Sequence, residues 1–310
     1  MTALSIWCNA SLGEPAWALL REGTRAHRLV ESLAEADVVF GQPDPEKLLA
    51  APRVRWVQVS SAGYGPYDRA DLRGALRARG AHLTKSSMVY DEPCAEHVLA
   101  FMLADARRLG EAFANAAGPR AWPQNPLRAR ARLLEGQSVV IAGFGSIGRR
   151  LVQLLAPFEM KVTGLRRRVA GDEPVPTFGW GTPQAARALA EADHVVDVLP
   201  GNADTQRAFG AAVFAGLKPG AVFYNVGRGT TVDQEALRAA LAAGKLSGAY
   251  LDVTDPEPLP PAHPLWTTPN CFVTPHAAGG HADEPQRLVR HFLDNLARFA
   301  AGAPLADEIL

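Results

Sequence analysis

Cysteine is scarce in this chain: Cys8, Cys94 and Cys271 are the only three, far apart and with no CxxC spacing. That excludes a disulfide framework and a cysteine-built metal centre, and the three read as buried, reduced thiols of a cytoplasmic protein with no metal site. A surplus of either charge is also lacking, with 32 basic against 32 acidic residues and a formal net charge of zero. Phosphate-binding surfaces carry a basic surplus, so nucleic acid is not expected as a partner. No apolar run approaches the roughly 18 residues that cross a bilayer, so no membrane span is expected. The opening MTALSIWCNASLGEP has neither a basic lead nor a long apolar stretch, unlike a signal peptide. Lysine, finally, supplies only five of the 32 basic residues. Arginine is so common here that any single one is weak evidence.

What is present suits a globular enzyme-sized chain. With 310 residues, 47% of them apolar and 21% charged, two domains are expected, each able to bury a core. SIW (Ser5–Trp7), ADVVFG (Ala36–Gly41), VRWVQVSS (Val54–Ser61) and AHLTKS (Ala81–Ser86) read as strands, and Pro15–Glu22 and Asp68–Arg79 as helices between them. A long helix is expected from Glu92 to about Glu111, with Pro93 in its first turn. Residues 115–136, rich in Gly, Pro and Arg, read as a loop or arm. A second series then runs through QSVVIAG, MKVTGLRR, HVVDVLP, AVFYNVGRG, LSGAYLDV and CFVTPH, and an amphipathic helix closes it at Glu284–Ala301. Strand alternating with helix implies α/β architecture, with parallel sheets covered on both faces.

VVIAGFGSIGRRL sets Gly143, Gly145 and Gly148 between a buried strand and a helix. The spacing provides a tight turn, close backbone approach to a diphosphate, and tight helix–strand packing, so Gly143, Gly145, Ser146, Ile147 and Gly148 are expected to hold a dinucleotide. Such a glycine pattern alone is as often a plain turn; its place between strand and helix is what counts. For NAD, an acid should end the next strand. That strand ends instead in Arg166, Arg167 and Arg168, with Asp172 the nearest acid. A guanidinium can fork onto a ribose 2′-phosphate that a carboxylate would repel, so NADP is expected, with NADPH preferred over NADH.

Three more residues follow strand candidates: Arg228 in NVGRGTTVD, Glu257 in LDVTDPEPL and His276 in FVTPHAAGG. Singly, each has a bland reading as a surface ion pair, a loop acid or a satisfied core histidine. Jointly they suit proton and hydride chemistry. Arginine would clamp a carboxylate, histidine would trade a hydroxyl proton, and a carboxylate beside an imidazole favours its protonated, acid form. Pro200, Thr205, Val226, Gly227, Arg228, Asp252 and His276 are the further expected cofactor contacts.

GFGSIG, NVGRG, LDVTDPEPLPPAHPLW and VTPH stand in the order and at the spacing of one family, and the chain resembles D-isomer-specific 2-hydroxyacid dehydrogenases over essentially its whole length. The run Pro258–Trp266 and the arginines after the second strand are most similar to glyoxylate/hydroxypyruvate reductases. The resemblance implies a flavodoxin-like substrate domain from residues 1–92 plus 280–310 and a Rossmann cofactor domain from 93–279, both doubly wound. It implies Arg228, Glu257 and His276 as the catalytic set, Ala62, Gly63 and Tyr64 as the carboxylate-binding loop, Trp122 in a dimer arm, and hence a homodimer acting on a small 2-oxo acid. SSAGYG (Ser60–Gly65) and SSMVYDEPCAEH depart from the family's usual GAGVDN-like and asparagine-bearing forms, which opens the side-group specificity. Rival readings are phosphonate- or formate-type oxidation and a non-enzymatic, dinucleotide-sensing binding protein like a C-terminal-binding corepressor. Glu257 counts against the formate type, whose members resemble a variant with glutamine there.

Overall fold

Short strands alternate with amphipathic helices through residues 3–310, the part of the chain that the computed structural model describes, and build two parallel sheets. Packing divides the chain into one unit of residues 1–90 and 280–310 and another of residues 91–279.

The first unit holds β1 (Ser5–Cys8), β2 (Arg28–Val30), β3 (Val38–Gly41), β4 (Trp56–Val59) and β5 (His82–Thr84) in the order β2-β1-β3-β4-β5. This is the flavodoxin-like doubly wound order. Helices α1 (Glu14–Gly23), α2 (Pro45–Leu49) and α3 (Ala70–Ala78) connect the strands. Side chains alternate between faces: Val38 and Phe40 join one core cluster while Val39 joins the other, and Trp56 and Val57 divide likewise. Both faces are therefore buried, as a parallel sheet demands. β2 was not anticipated, because RLV at a sheet edge is too short and too exposed to leave a periodic signal.

The division between units falls inside α4 (Ser87–Ala106). This helix begins five residues before the expected Glu92, so Pro93 lies within it rather than in its first turn. It also stops sooner than expected. Arg108 takes a left-handed backbone (φ 55°) and a separate helix, α5 (Leu109–Ala117), follows. The arm is likewise not all loop, since α6 (Gln124–Arg130) forms within it.

The second unit continues with β6 (Ser138–Ala142), α7 (Ser146–Leu155), β7 (Lys161–Arg166), β8 (Thr177–Gly179), α8 (Pro183–Glu191), β9 (His194–Asp197), α9 (Ala211–Gly216), β10 (Ala221–Asn225), α10 (Gln234–Ala242), β11 (Leu246–Leu251) and β12 (Cys271–Val273). All pairings are parallel and the order is β12-β11-β10-β9-β6-β7-β8. Connections reverse direction between β6 and β9, the switch point where Rossmann sheets bind dinucleotides. β8, another three-residue edge strand, had no sequence signal. The chain then returns to the first unit with α11 (Glu284–Ala300), whose Leu288, Val289, Phe292 and Leu296 join Ile6, Phe40 and Trp56 in one cluster. Phe292 stacks on Phe40 and Trp56 at 4.5 and 5.2 Å. Among the described residues no helix is long and apolar enough to cross a membrane.

Candidate active site

The turn from β6 to α7 uses its glycines for three different reasons. Gly143 has φ +88°, and a Cβ there would stand 2.6 Å from the Val198 carbonyl oxygen, so only glycine fits. A Cβ on Gly148 would meet the Phe144 ring at 2.9 Å and Ile141 at 3.3 Å, which sets helix against strand. A Cβ on Gly145 would meet only the Gly143 carbonyl oxygen, at 3.6 Å. The space beside Gly145 is thus open for a ligand's approach, and no side chain caps α7, which begins at Ser146 and Ile147. This cradle fits a diphosphate at a helix N-terminus.

Beyond β7 the three arginines have separate fates. Arg166 donates to Glu173 at 2.8 Å, and the Glu173 carboxylate, only 3% exposed, also accepts the N–H groups of Ala170 and Gly171 at 2.7 Å each. Those contacts, the Ala170 N–H foremost, hold its carboxyl down to about 2. An acid therefore does stand beside the strand end, one residue past the nearest acid that the sequence suggested, but it is spent on Arg166 and the backbone. Arg167 reaches Asp204 at 3.1 Å in an exposed pair. Arg168 is exposed and has no protein partner among the described residues. Past β9, the Thr205 hydroxyl closes the following turn onto the Pro200 carbonyl.

At the end of β10, the fully buried Asn225 shapes the turn that presents Arg228. Its amide oxygen accepts the Gly227 N–H at 2.9 Å and its amide nitrogen donates to the Arg228 carbonyl at 3.0 Å. A Cβ on Gly229 would lie 1.9 Å from the Thr254 carbonyl oxygen, and one on Gly227 2.7 Å from that of Leu199, so both glycines admit neighbouring backbone. Val226 is buried beside them. The Thr231 hydroxyl bonds both the Arg228 carbonyl, at 2.6 Å, and buried Asp197, at 2.5 Å. Burial pushes the Asp197 carboxyl up to about 7. Asn225 was quoted in the motif without a role; its capacity to bond backbone two residues on was the available signal.

His276 lies beyond β12 with a left-handed backbone (φ 52°), its N–H donating to the Asp252 carbonyl at 2.8 Å. Its Nδ1 is 2.8 Å from a Glu257 carboxylate oxygen, whose other oxygen accepts the Thr254 N–H at 2.9 Å. The His276 side chain is 53% exposed, and Nε2 has no protein partner among the described residues. Asp252 organises this segment. One of its oxygens accepts the Thr274 hydroxyl at 2.6 Å and the Ala277 N–H at 2.8 Å, and the other accepts the Ala278 N–H at 2.9 Å. Its carboxylate is turned into the segment that holds His276. His97 of α4, which sequence reasoning passed over, joins this network at 3.3 Å from the Thr274 hydroxyl and 3.8 Å from Asp252, and burial lowers its pKa.

Ala62, Gly63 and Tyr64 belong to the other unit. The Ser61 hydroxyl donates to the Gly63 carbonyl at 2.5 Å, and the Gln42 amide donates to Ser60 and Ser61 at 3.2 and 2.9 Å. Among the described residues, no protein acceptor takes the N–H groups of Ala62, Gly63 or Tyr64.

Several known proteins resemble this chain in sequence and fold. Residues 99–278 match the family model of the D-isomer specific 2-hydroxyacid dehydrogenase, NAD binding domain. The glyoxylate/hydroxypyruvate reductase B of Klebsiella pneumoniae is 31% identical over 86% of this chain and 82% of its own. A D-isomer specific 2-hydroxyacid dehydrogenase family protein from Aeromonas salmonicida is 30% identical, with TM-score 0.83 over 100% of this chain and 99% of that one. The NADPH-dependent glyoxylate/hydroxypyruvate reductase of Sinorhizobium meliloti, solved with NADP and sulfate, is 25% identical, with TM-score 0.80 over 99% and 98%.

Proposed function

Because the chain belongs to the D-isomer specific 2-hydroxyacid dehydrogenase family, and so is a nicotinamide-dinucleotide-dependent 2-oxo acid reductase or 2-hydroxyacid dehydrogenase, we propose that it reduces a small acid of the glyoxylate/hydroxypyruvate kind to a D-2-hydroxy acid and prefers NADPH to NADH. The observation that carries this reading is the Glu257–His276 pair, 2.8 Å apart at Nδ1, which leaves Nε2 to give a proton. A 2-oxo acid, one hydride and one proton make the hydroxy acid, and the nicotinamide supplies the hydride. His276 donates the proton to the carbonyl oxygen, and Glu257 fixes the ring by holding Nδ1. Arg228 is the carboxylate-binding and carbonyl-polarising residue of its unit, and in the other unit Ala62, Gly63 and Tyr64 form the loop whose N–H groups suit a carboxylate.

The residues at the switch point suit the dinucleotide. Gly143, Gly145, Ser146, Ile147 and Gly148 would cradle its diphosphate, and Pro200, Thr205, Val226, Gly227 and Asp252 would line its path. Arg168, the arginine without a protein partner, is the one left to meet a 2′-phosphate, with Arg166 and Arg167 beside it. Unit 91–279 then serves the cofactor and unit 1–90 with 280–310 the substrate. Helix α5 and the arm expose Phe113, Trp122 and Leu133, with Trp122 at 90%, which supports a homodimer. Three free thiols suit the cytoplasm.

Steady-state oxidation of NADPH and NADH with glyoxylate, hydroxypyruvate and pyruvate tests this reading. We expect turnover with NADPH preferred, and kcat/KM for NADPH falling about tenfold in Arg168→Ala, against a small change for NADH. Equal use of both cofactors overturns the preference, and no turnover of any 2-oxo acid overturns the substrate reading.

A further inference from the structure

Lys85, just past β5, carries a charge that the protein does not answer. Its backbone is tied down: the N–H donates to the Asp307 carbonyl at 3.1 Å and the carbonyl lies 3.4 Å from His291 Nε2. Its ammonium has no ion pair among the described residues and sits over the Tyr64 ring, 5.8 Å from the centroid. The Asp307 carboxylate accepts the Met88 N–H at 2.9 Å and stands 3.5 Å from His291 Nε2. Within the same unit, Tyr64 ends the run Ala62–Tyr64 whose three N–H groups have no protein acceptor. A cation over the ring of the residue that ends a run of free amides is an arrangement that suits anions.

Charge counting shows what it would bind. On the function proposed above, on which this inference rests, the loop amides answer the single carboxylate of a simple 2-oxo acid. Lys85 is a cation beyond that need, and Tyr64, in the segment that departs from the family's usual loop, holds it in place. We propose that Lys85 is a specificity-determining residue that receives a second anionic group, so that the enzyme favours a 2-oxo acid with an anionic far end over its uncharged counterpart of equal length. A compact ammonium on a flexible four-carbon stem suits a group whose distance varies with chain length.

The test compares 2-oxoglutarate with 2-oxopentanoate, which differ only in the terminal carboxylate, on the purified holoenzyme with NADPH. In the wild type, kcat/KM should favour 2-oxoglutarate. Lys85→Met should lower that ratio on the order of 10- to 100-fold, mainly through KM, and Lys85→Arg should restore most of it. Calorimetric binding of 2-oxoglutarate to wild type and Lys85→Met, which needs no turnover, should show the same loss. A wild type that prefers 2-oxopentanoate, or a ratio and an affinity that Lys85→Met leaves in place, overturns the assignment while leaving the reductase reading intact. Absence of turnover with either acid would count against that reading instead, and Lys85-dependent binding would still uphold the anion site.

Discussion

Two histidines mark opposite ends of the strands in the seven-stranded sheet, and their surroundings separate structure from chemistry. His194 is the first residue of β9, fully buried, with Nδ1 2.9 Å from the Tyr224 hydroxyl and Nε2 2.7 Å from the Gln137 amide oxygen. Both nitrogens are spent, and burial brings its pKa down to about 4, with the Arg132 charge acting in the same direction. His276, three residues beyond β12, spends one nitrogen on Glu257 and keeps the other free in a half-exposed side chain. A histidine works as an acid or base through the nitrogen its fold leaves unused.

The strongest attempt to break that contrast removes the free nitrogen. His276→Asn, chosen because asparagine tolerates the left-handed backbone, should lower kcat for 2-oxo acid reduction by about 10²–10⁴-fold. Near-normal turnover would end the acid role. Glu257→Gln keeps the shape but removes the charge behind the ring, and kcat should fall by about 10- to 100-fold, read in the same assay. A larger loss than that of His276→Asn would mean that Glu257 itself handles the proton. The smallest effect on activity belongs to His194→Gln, with turnover per folded enzyme within about twofold. Its effect appears in stability. The folded His194 resists protonation while the unfolded one accepts it near pH 6.5, so the stabilising preference is complete above that pH and is lost as pH falls toward 4. Between pH 7 and 5 the wild type should lose about 2 kcal/mol through this residue, seen as a lower urea midpoint, and His194→Gln should lack that increment.

The distinction between the two was legible only in part. His276 stood out because it followed a strand in company with Arg228 and Glu257, whereas His194 opened a strand alone; order along the chain carried that information. Gly143, Gly145 and Gly148 were legible for the same reason, since each answers to local geometry. Glu173 was missed because its bond to Arg166 closes an irregular loop that leaves no periodic trace. The start of α4 was misplaced because Pro93 resembled a first-turn proline, and packing of the preceding turn, with Val89 in the core, outweighed that local cue. Asp252 was placed by strand position alone, and its partners at 274, 277 and 278 emerge only once the turn is folded.

The return of α11 to the first unit also orders events during synthesis. Residues 91–279 are contiguous and hold their own core, so this unit can close as soon as it leaves the ribosome. The first sheet must wait. Until residues 280–310 emerge, Phe40 and Trp56 lack the Phe292 ring that covers them, and the Leu83 edge lacks the bonds it makes with Ile309 and Leu310. The unit whose translation begins first is thus the unit completed last, and its apolar face in the interim is where a nascent chain of this design is most in need of protection from aggregation.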